Sequence, residues 1–371
     1  MRVEEVSGGR ALREFVCFPQ RLYRGDPQWA PPLWIEERGA YNRSRNPILA
    51  HSDYVLLAVR DGGSMAGRAL AYVDHAFNDY YHSRIGFFGA FECLDEPQAA
   101  EALLDRAESW LRERGMSAIR GPIHPVAESW GFCTSGYGSS PVFMAPYNPP
   151  YYNRFMELLG YAKVKDLLAY EADARQGYRI PERFVRFQEK TLSQRPGLSL
   201  RRLNLARLKE DAEHIWRISN IALRNNWGYV PLNRDELIDM IRKLKAIVDV
   251  DAVWFVEDAG APVGYALGFP DLNVVLKKIG GRLFPLGFLT LLLEIRKVRD
   301  YRLFGLAVLP EYHNLGLDVL LYMSLFQSLA PKGIRLEANY ILEDNLKIRN
   351  ALEKLKLAVC KTYRVYEKSL I

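Results

Sequence analysis

The pattern of hydrophobic and polar residues predicts a hairpin followed by strands and helices in the first half of the chain. Alternation over Asp53–Arg60 and Met65–Asp74 surrounds Asp61-Gly62-Gly63-Ser64, which has the composition of a hairpin turn. Alanine and leucine then recur at helical spacing within Glu96–Gly115. The other elements predicted here are strands at Phe87–Cys93, Ser117–Gly121 and Ala162–Ala172 and a helix at Pro149–Leu159.

The second half of the chain repeats this order of elements. A hairpin is predicted at Ala252–Glu257 and Pro262–Phe269, and two helices, Arg207–Asn226 and Arg234–Val248, precede it. The elements predicted after the hairpin are strands at Arg302–Leu309, Ile334–Asn339 and Ala358–Glu367 and helices at Leu315–Leu329 and Asn345–Leu355.

The two halves also share residue identities at a nearly constant distance along the chain. Between Ala58–Asp74 and Phe255–Asp271, at an offset of 197, 7 of 17 positions are identical. Between Glu157–Glu171 and Glu353–Glu367, at an offset of 196, 6 of 15 positions agree. This period is far longer than the roughly 20–50 residues of a solenoid unit. The sequence therefore predicts two copies of one domain. Their predicted bounds are residues 1–175 and 197–371, with a linker at 176–196.

Each copy carries a long insertion that the other lacks. The first has a glycine-rich loop, Gly121–Tyr147, and the second has the apolar run Leu283–Leu293. The run is 11 residues long, too short for a bilayer span of roughly 20 residues. Two interpretations stay open: a buried segment, or an apolar surface that meets a long acyl chain or makes a peripheral membrane contact.

Composition narrows the classes of partner. The net charge of +6 suits an anionic ligand such as a nucleotide phosphate and lacks the basic concentration of a nucleic-acid-binding protein. The four cysteines and six histidines show no metal-ligand spacing, so reduced thiols, a cytoplasmic protein and no metal are expected. The first residues, MRVEEVSGGRALREF, lack the apolar core of a signal peptide, so no export is expected.

The segment Pro310–Asp318 joins a predicted strand to a predicted helix. Free N–H groups at a helix start, together with the helix dipole, favour an anion. The segment resembles the coenzyme A loop of the GCN5-related N-acetyltransferase (GNAT) superfamily, Arg/Gln-x-x-Gly-x-Gly/Ala. His313 stands at the first position, Gly316 at the central glycine and Asp318 at the last small residue. The cofactor-binding residues that the resemblance implies are Val308, Leu309, His313, Asn314, Leu315, Gly316 and Asn345.

The resemblance also implies direct transfer of an acyl group from acetyl-coenzyme A or a longer acyl-coenzyme A to an amine. Leu352 stands where the superfamily often has a tyrosine that protonates the departing thiolate. Tyr340, Tyr363 and Tyr312 are the candidate acids in its place, and packing is the commoner role of each. Glu337 is the preferred candidate base, with Asp344 and Glu343 as further candidates and a salt bridge or solvent contact as its ordinary role. The first copy has Leu94-Asp95-Glu96-Pro97 at the corresponding point and no such loop.

Further segments narrow the resemblance to a bacterial family of tandem GNAT proteins. They are Asp26-Pro27, Pro31-Pro32-Leu33, Pro146–Tyr152 and Ile341–Asn345. This family implies an α/β fold of the α+β kind, with two tandem domains that each have a mixed, mostly antiparallel twisted sheet flanked by helices. Some members acylate sphingoid bases, so the acceptor is expected to be a small-molecule or lipid amine.

Two other functions remain open. One is a Fem-like transferase that uses aminoacyl-tRNA, which the mild charge argues against. The other is a degenerate binding protein, which the altered residues His313, Asp318 and Leu352 favour. The acceptor amine, the acyl length and the oligomeric state do not follow from the sequence.

Overall fold

The computed structural model describes residues 1–125, 129–235, 237–238, 241, 245 and 247–371. They form two compact units. Unit 1 comprises Met1–Leu167, Leu276–Gly287 and Lys361–Ile371, and unit 2 comprises Leu168–Val275 and Phe288–Cys360. The domain bounds expected from the repeat stay a prediction. The predicted helix Arg234–Val248 falls in part outside the described residues.

Strands and helices alternate along both units. The strands are β1 Arg2–Glu5, β2 Ser52–Asp61, β3 Ser64–Asp74, β4 Ile85–Cys93, β5 Ala118–Gly121, β6 Phe132–Ser135, β7 Ala162–Asp173, β8 Leu198–Arg202, β9 Val253–Asp258, β10 Ala261–Pro270, β11 Asp300–Val308, β12 Arg335–Leu342 and β13 Ala358–Ser369. The helices are α1 Gly9–Leu22, α2 Trp34–Ala40, α3 Pro47–Ala50, α4 His75–Tyr81, α5 Pro97–Arg112, α6 Tyr151–Leu158, α7 Glu182–Gln194, α8 Leu208–Ala222, α9 Asn273–Ile279, α10 Gly287–Glu294, α11 Leu317–Leu329 and α12 Leu346–Lys354.

The two units pair their strands in the same order. In unit 1, β1 to β4 pair antiparallel in sequence order and β4 pairs parallel with β5. In unit 2, β8 to β11 pair antiparallel in sequence order and β11 pairs parallel with β12. Residues 366–369 of β13 continue the sheet of unit 1 by pairing antiparallel with β5. The predicted mixed, mostly antiparallel sheets are therefore confirmed.

One helix covers the sheet of each unit with an apolar face. In unit 1 the helix is α5, whose Leu103, Ala107 and Leu111 have no exposed surface. In unit 2 the helix is α11, whose Leu321 and Leu325 are equally buried. The burial of such side chains supplies most of the driving force for folding.

The glycines shared by the two copies mark a tight crossing of strands. Gly67 lies opposite Val59, and Gly264 lies opposite Val256. A Cβ on Gly67 would come within 3.0 Å of the Glu92 carbonyl oxygen, and one on Gly264 within 2.9 Å of the Ala307 carbonyl oxygen. Larger residues would force neighbouring strands apart. This part of the repeat therefore reflects a packing requirement that both units share.

Two helices lie where no regular structure was predicted. Helix α1 buries Phe15, Val16 and Phe18 in unit 1. Helix α7 occupies the expected linker and packs against the core of unit 2 through partly buried side chains such as Phe184 and Leu192. Among the described residues, no helix is both long enough and apolar enough to cross a membrane.

Candidate functional site

The parallel strands of each unit pair at one end and separate at the other. In unit 1 the pairing of β4 with β5 ends at Phe87 and Arg120, although β4 continues to Cys93. In unit 2 the pairing of β11 with β12 ends at Leu303 and Ala338, although β11 continues to Val308. Each unit therefore has a gap between two parallel strands.

The gap in unit 1 is filled by the chain that follows β5. The backbone N–H of Ile123 donates to the Phe88 carbonyl at 2.8 Å. A Cβ on Gly89 would lie only 2.5 Å from the Ile123 carbonyl oxygen. Residues 126–128, farther along this predicted loop, lie outside the described residues. The described part of the insertion thus closes the gap of unit 1.

The gap in unit 2 has no such filling among the residues described. No backbone hydrogen bond joins residues 304–308 to residues 339–342, all of which the structure describes. Strand β11 also carries a bulge there, because its register with β10 shifts by one residue between Leu267 and Gly268. The open gap lies beside the end of β11, where the predicted coenzyme A loop begins.

The two units diverge immediately after an equivalent hydrogen bond. The Leu94 N–H donates to the Ala66 carbonyl at 2.9 Å, and the Leu309 N–H donates to the Val263 carbonyl at the same distance. Helix α5 then begins at Pro97, whereas α11 begins only at Leu317. Unit 2 therefore has five more residues between strand and helix.

These additional residues form a loop rich in free backbone donors. Asn314 and Gly316 both have left-handed backbone conformations, with φ of 65° and 71°. Within the described chain, no carbonyl or side chain accepts from the backbone N–H groups of residues 314–319. Successive free N–H groups at a helix start make a concave anion site, and the helix dipole adds to it. The geometry of His313, Asn314, Leu315 and Gly316 therefore suits a phosphate.

Aromatic and imidazole side chains hold this loop in place. His313 Nε2 lies 3.0 Å from the Val308 carbonyl oxygen, and the Tyr312 hydroxyl donates to Asp258 at 2.9 Å. A Cβ on Gly316 would lie 2.6 Å from the Phe187 ring of α7. Helix α7 thus contacts the loop at its central glycine.

Asp318 places a carboxylate in the first turn of α11. Asp318→Asn is expected to tighten coenzyme A binding about tenfold, because it removes a charge that repels phosphate at an effective dielectric constant of roughly 20. The same change should lower stability by about 0.5 kcal/mol, since a carboxylate favours the helix dipole. Calorimetric titration and thermal unfolding measure the two effects. Asp61→Asn is the matched control in unit 1, and an equal gain in affinity there would contradict the assignment.

The predicted base Glu337 has no exposed surface. Its carboxylate accepts from Arg335 at 2.9 Å and from the Asn339 amide at 3.1 Å. Removal of one partner from such a buried ion pair is costly, so Glu337 contributes to the local structure of β12. Its role as a base stays a prediction.

The two predicted acids lie in different surroundings. Tyr340 lies on β12 with the Arg302 guanidinium 5.3 Å from its ring centroid. Tyr363 belongs to unit 1, where it lies opposite Cys133 of β6 and has no exposed surface. The roles of Tyr340 and Tyr363 as acids stay predictions.

Three other predicted residues have backbone or capping contacts. The Asn345 side chain accepts from the Ile348 N–H at 3.2 Å and so caps α12. The Leu309 N–H is already bonded to Val263, and Val308 lies opposite Gly264 in the sheet. Val308 and Leu309 therefore position the loop. The free donors lie farther along it.

Unit 1 holds a buried cluster of titratable groups that the sequence did not predict. Glu92 accepts from the hydroxyls of Tyr23 and Tyr152, and Arg68, only 4% exposed, lies opposite it on β3. Burial raises the pKa of Glu92 to about 7, against the lowering effect of Arg68. Burial lowers the pKa of His124 to about 4. The available signal was a single charge within each of two otherwise apolar strands.

This cluster has no counterpart in unit 2. Cys93 and Val308 both lie opposite the shared glycines, so Glu92 corresponds to Ala307 and Arg68 to Tyr265. The two copies therefore differ in two ways. Unit 2 has the donor-rich loop, and unit 1 has the buried acid.

The apolar run Leu283–Leu293 is mostly exposed, so its interpretation as a buried segment is wrong. Leu291 is its only buried residue, with 7% exposure. The side chains that are at least half exposed are Phe284, Leu286, Phe288, Leu289 and Leu293. The second interpretation, an apolar surface, is the one that agrees with the exposure of this run.

Comparison with curated proteins gives two relatives of nearly the same length. YghO of Escherichia coli (strain K12) is 32% identical over 368 residues, which cover 97% of this chain and 93% of YghO. The bacterial ceramide synthase of Caulobacter vibrioides (strain NA1000 / CB15N) is 30% identical over 368 residues, which cover 97% of this chain and 95% of the synthase. No family model matches the chain.

Comparison with solved structures gives full-length matches of low identity. A tandem GNAT protein from the clavulanic acid biosynthesis pathway, solved without AcCoA, has a TM-score of 0.57 at 13% identity, covering 100% of this chain and 99% of its own. A probable N-acyltransferase from Enterococcus faecalis V583 has a TM-score of 0.51 at 10% identity, covering 100% of this chain and 72% of its own. These likenesses concern the fold, and they confirm the predicted fold class.

Proposed function

Because the chain belongs to the family of tandem GNAT proteins that contains YghO and the bacterial ceramide synthase, we propose that it is an N-acyltransferase. Its donor is an acyl-coenzyme A, and its acceptor is the amine of a lipid-like molecule. The observation that carries this proposal is the row of free backbone N–H groups at residues 314–319, beside the open gap between β11 and β12.

The donor-rich loop suits a diphosphate. Its free N–H groups are consecutive and lie at the positive end of α11, where an anion is stabilised without any charged side chain. His313, Asn314, Leu315 and Gly316 would hold the diphosphate of coenzyme A. The thioester arm would then extend into the gap between the parallel strands.

A long-chain acceptor is supported by one relative and by one surface. The relative is named a ceramide synthase, and ceramide is an N-acylated long-chain amino alcohol. The surface is the apolar run, whose Phe284 and Leu293 are 90% and 68% exposed. All four cysteines are free thiols, which fits a cytoplasmic protein.

The reaction is a direct transfer. The neutral amine nitrogen attacks the thioester carbonyl carbon, an amide C–N bond forms, the C–S bond breaks and coenzyme A leaves as a thiolate. The nitrogen loses one proton to water or to the thiolate. Holding donor and acceptor together in the gap supplies much of the rate enhancement, because the step becomes effectively unimolecular.

The experiment combines binding with turnover. Acetyl-, medium-chain and palmitoyl-coenzyme A should each raise the unfolding temperature, and binding at 100 times Kd adds about 2.7 kcal/mol. Palmitoyl-coenzyme A should bind most tightly, and a long-chain amino alcohol should trigger release of free coenzyme A thiol. The absence of a shift with all three donors would contradict the proposal. A shift without thiol release would support the degenerate binding protein instead.

A further inference from the structure

Unit 1 has a broad cleft lined by five arginines and one glutamate. Its volume is about 1290 Å³, and its arginines are Arg10, Arg13, Arg38, Arg60 and Arg282. Only Arg60 is neutralised, by Glu14 at 2.8 Å and Glu4 at 2.6 Å. Within the described chain, the other four guanidinium groups form no ion pair, and all four residues are exposed. The cleft therefore has a net positive charge.

Large apolar side chains project beside these arginines. Ile35 and Phe284 line the same cleft and are 62% and 90% exposed. Leu286 follows Phe284 in the chain and is 67% exposed. A single exposed apolar residue is ordinary on a protein surface, but a group of them next to unpaired charges of one sign is not.

The segment that carries Phe284 is fixed to unit 1. The Trp34 N–H donates to the Gly281 carbonyl at 3.1 Å, and the Trp34 indole donates to the Gly280 carbonyl at 3.0 Å. Lys277, in α9, donates to the Pro27 carbonyl and to Ser140, both at 2.7 Å. The apolar side chains are thus held outward by a rigid support.

From this combination we propose that this face of unit 1 docks on the surface of an anionic phospholipid bilayer. Arg13, Arg38 and their neighbours would contact lipid phosphates, and Phe284 and Leu286 would enter the boundary between head groups and acyl chains. A soluble anion alone would leave these apolar side chains in water. An apolar partner alone would leave the arginines without counter-charges.

The inference is independent of acyl transfer, so it is tested without any coenzyme A. The full chain should sediment with vesicles of equal parts phosphatidylglycerol and phosphatidylcholine but not with phosphatidylcholine alone. Added salt should weaken the binding, because it screens the arginines. Arg13→Gln/Arg38→Gln should weaken it about 30-fold, at the usual contribution of each basic residue near such a surface. Phe284→Ser/Leu286→Ser should weaken it at least tenfold.

Matched variants separate this face from general effects. Arg24→Gln/Arg84→Gln removes the same charge from exposed positions outside the cleft, and Leu158→Ser removes an exposed apolar side chain elsewhere in unit 1. Both should bind vesicles like the wild type. Equal losses in cleft and control variants, or no sedimentation with anionic vesicles, would overturn the proposal. Cleft variants that lose soluble palmitoyl-coenzyme A but keep vesicle binding would assign the cleft to a soluble anion. Conversion of a dimer to a monomer by Phe284→Ser/Leu286→Ser, without vesicle binding, would make the face a contact between two copies.

Discussion

Gly316→Asp is expected to abolish binding of acyl-coenzyme A while the chain stays folded. The new carboxylate would enter the loop whose free N–H groups suit phosphate. At an effective dielectric constant of roughly 20, repulsion at ~5 Å exceeds 3 kcal/mol, which corresponds to more than a 100-fold loss of affinity. The stability cost should be about 1–2 kcal/mol, because Gly316 has a φ of 71°. Thermal-shift titration measures both quantities.

A matched glycine controls for backbone strain. Gly333 has a similar φ of 67°, and a Cβ placed on it would lie 3.9 Å from its nearest neighbour, the Arg175 side chain. Gly333→Asp should therefore cost similar stability and keep the ligand-induced shift. Because a Cβ on Gly316 would also contact Phe187, the double variant Gly316→Asp/Phe187→Ala removes that contact and should still fail to bind. A normal shift in the double variant would place the donor site elsewhere.

Glu92→Gln is expected to change how stability depends on pH. Burial raises the pKa of Glu92 from 4.5 to about 7, so folding favours its neutral form. The stability that this form gives is complete below pH 4.5 and is lost as the pH rises through 7. From about pH 4.5 to about pH 8 the wild type should therefore lose about 3 kcal/mol relative to Glu92→Gln, which stays neutral. Urea unfolding at a series of pH values measures the difference.

A second group in the same cluster should act in the opposite direction. Burial lowers the pKa of His124 to about 4, so folding favours its neutral form and stability is lost as the pH falls from 6.5 to 4. The two opposing terms should partly cancel in the wild type between pH 4.5 and 6.5, and Glu92→Gln should expose the histidine term alone. Glu101→Gln, at an exposed position of α5, should behave like the wild type. A constant difference between wild type and Glu92→Gln over the whole range would show that Glu92 titrates normally.

The order of strands and helices could be predicted because local patterns determine it. Alternating residues and tight turns define the hairpins, and close strand packing requires glycine at positions 67 and 264. Helix α7 could not be predicted in the same way. None of its residues is buried, so its sequence has no strongly apolar stripe, and contacts with unit 2 stabilise it.

The candidate site divides along the same line. The loop at Gly316 was predictable because a turn and a helix start have local signatures. The cluster around Glu92 was not, because Tyr23 and Tyr152 lie 69 and 60 positions away along the chain. The charged cleft depends likewise on Arg13 and Arg282, which distant segments contribute. Groups that acquire their properties from distant neighbours leave little trace in a local pattern.

The pairing of residues 366–369 with β5 has a consequence for biosynthesis. Unit 1 contains the first residues of the chain and also residues 361–371, which the ribosome adds only after every residue of unit 2. Until then, β5 has an open edge that can pair with another chain. The unit whose synthesis starts first is therefore completed last, and nascent chains are most exposed to mispairing at Ala118–Gly121.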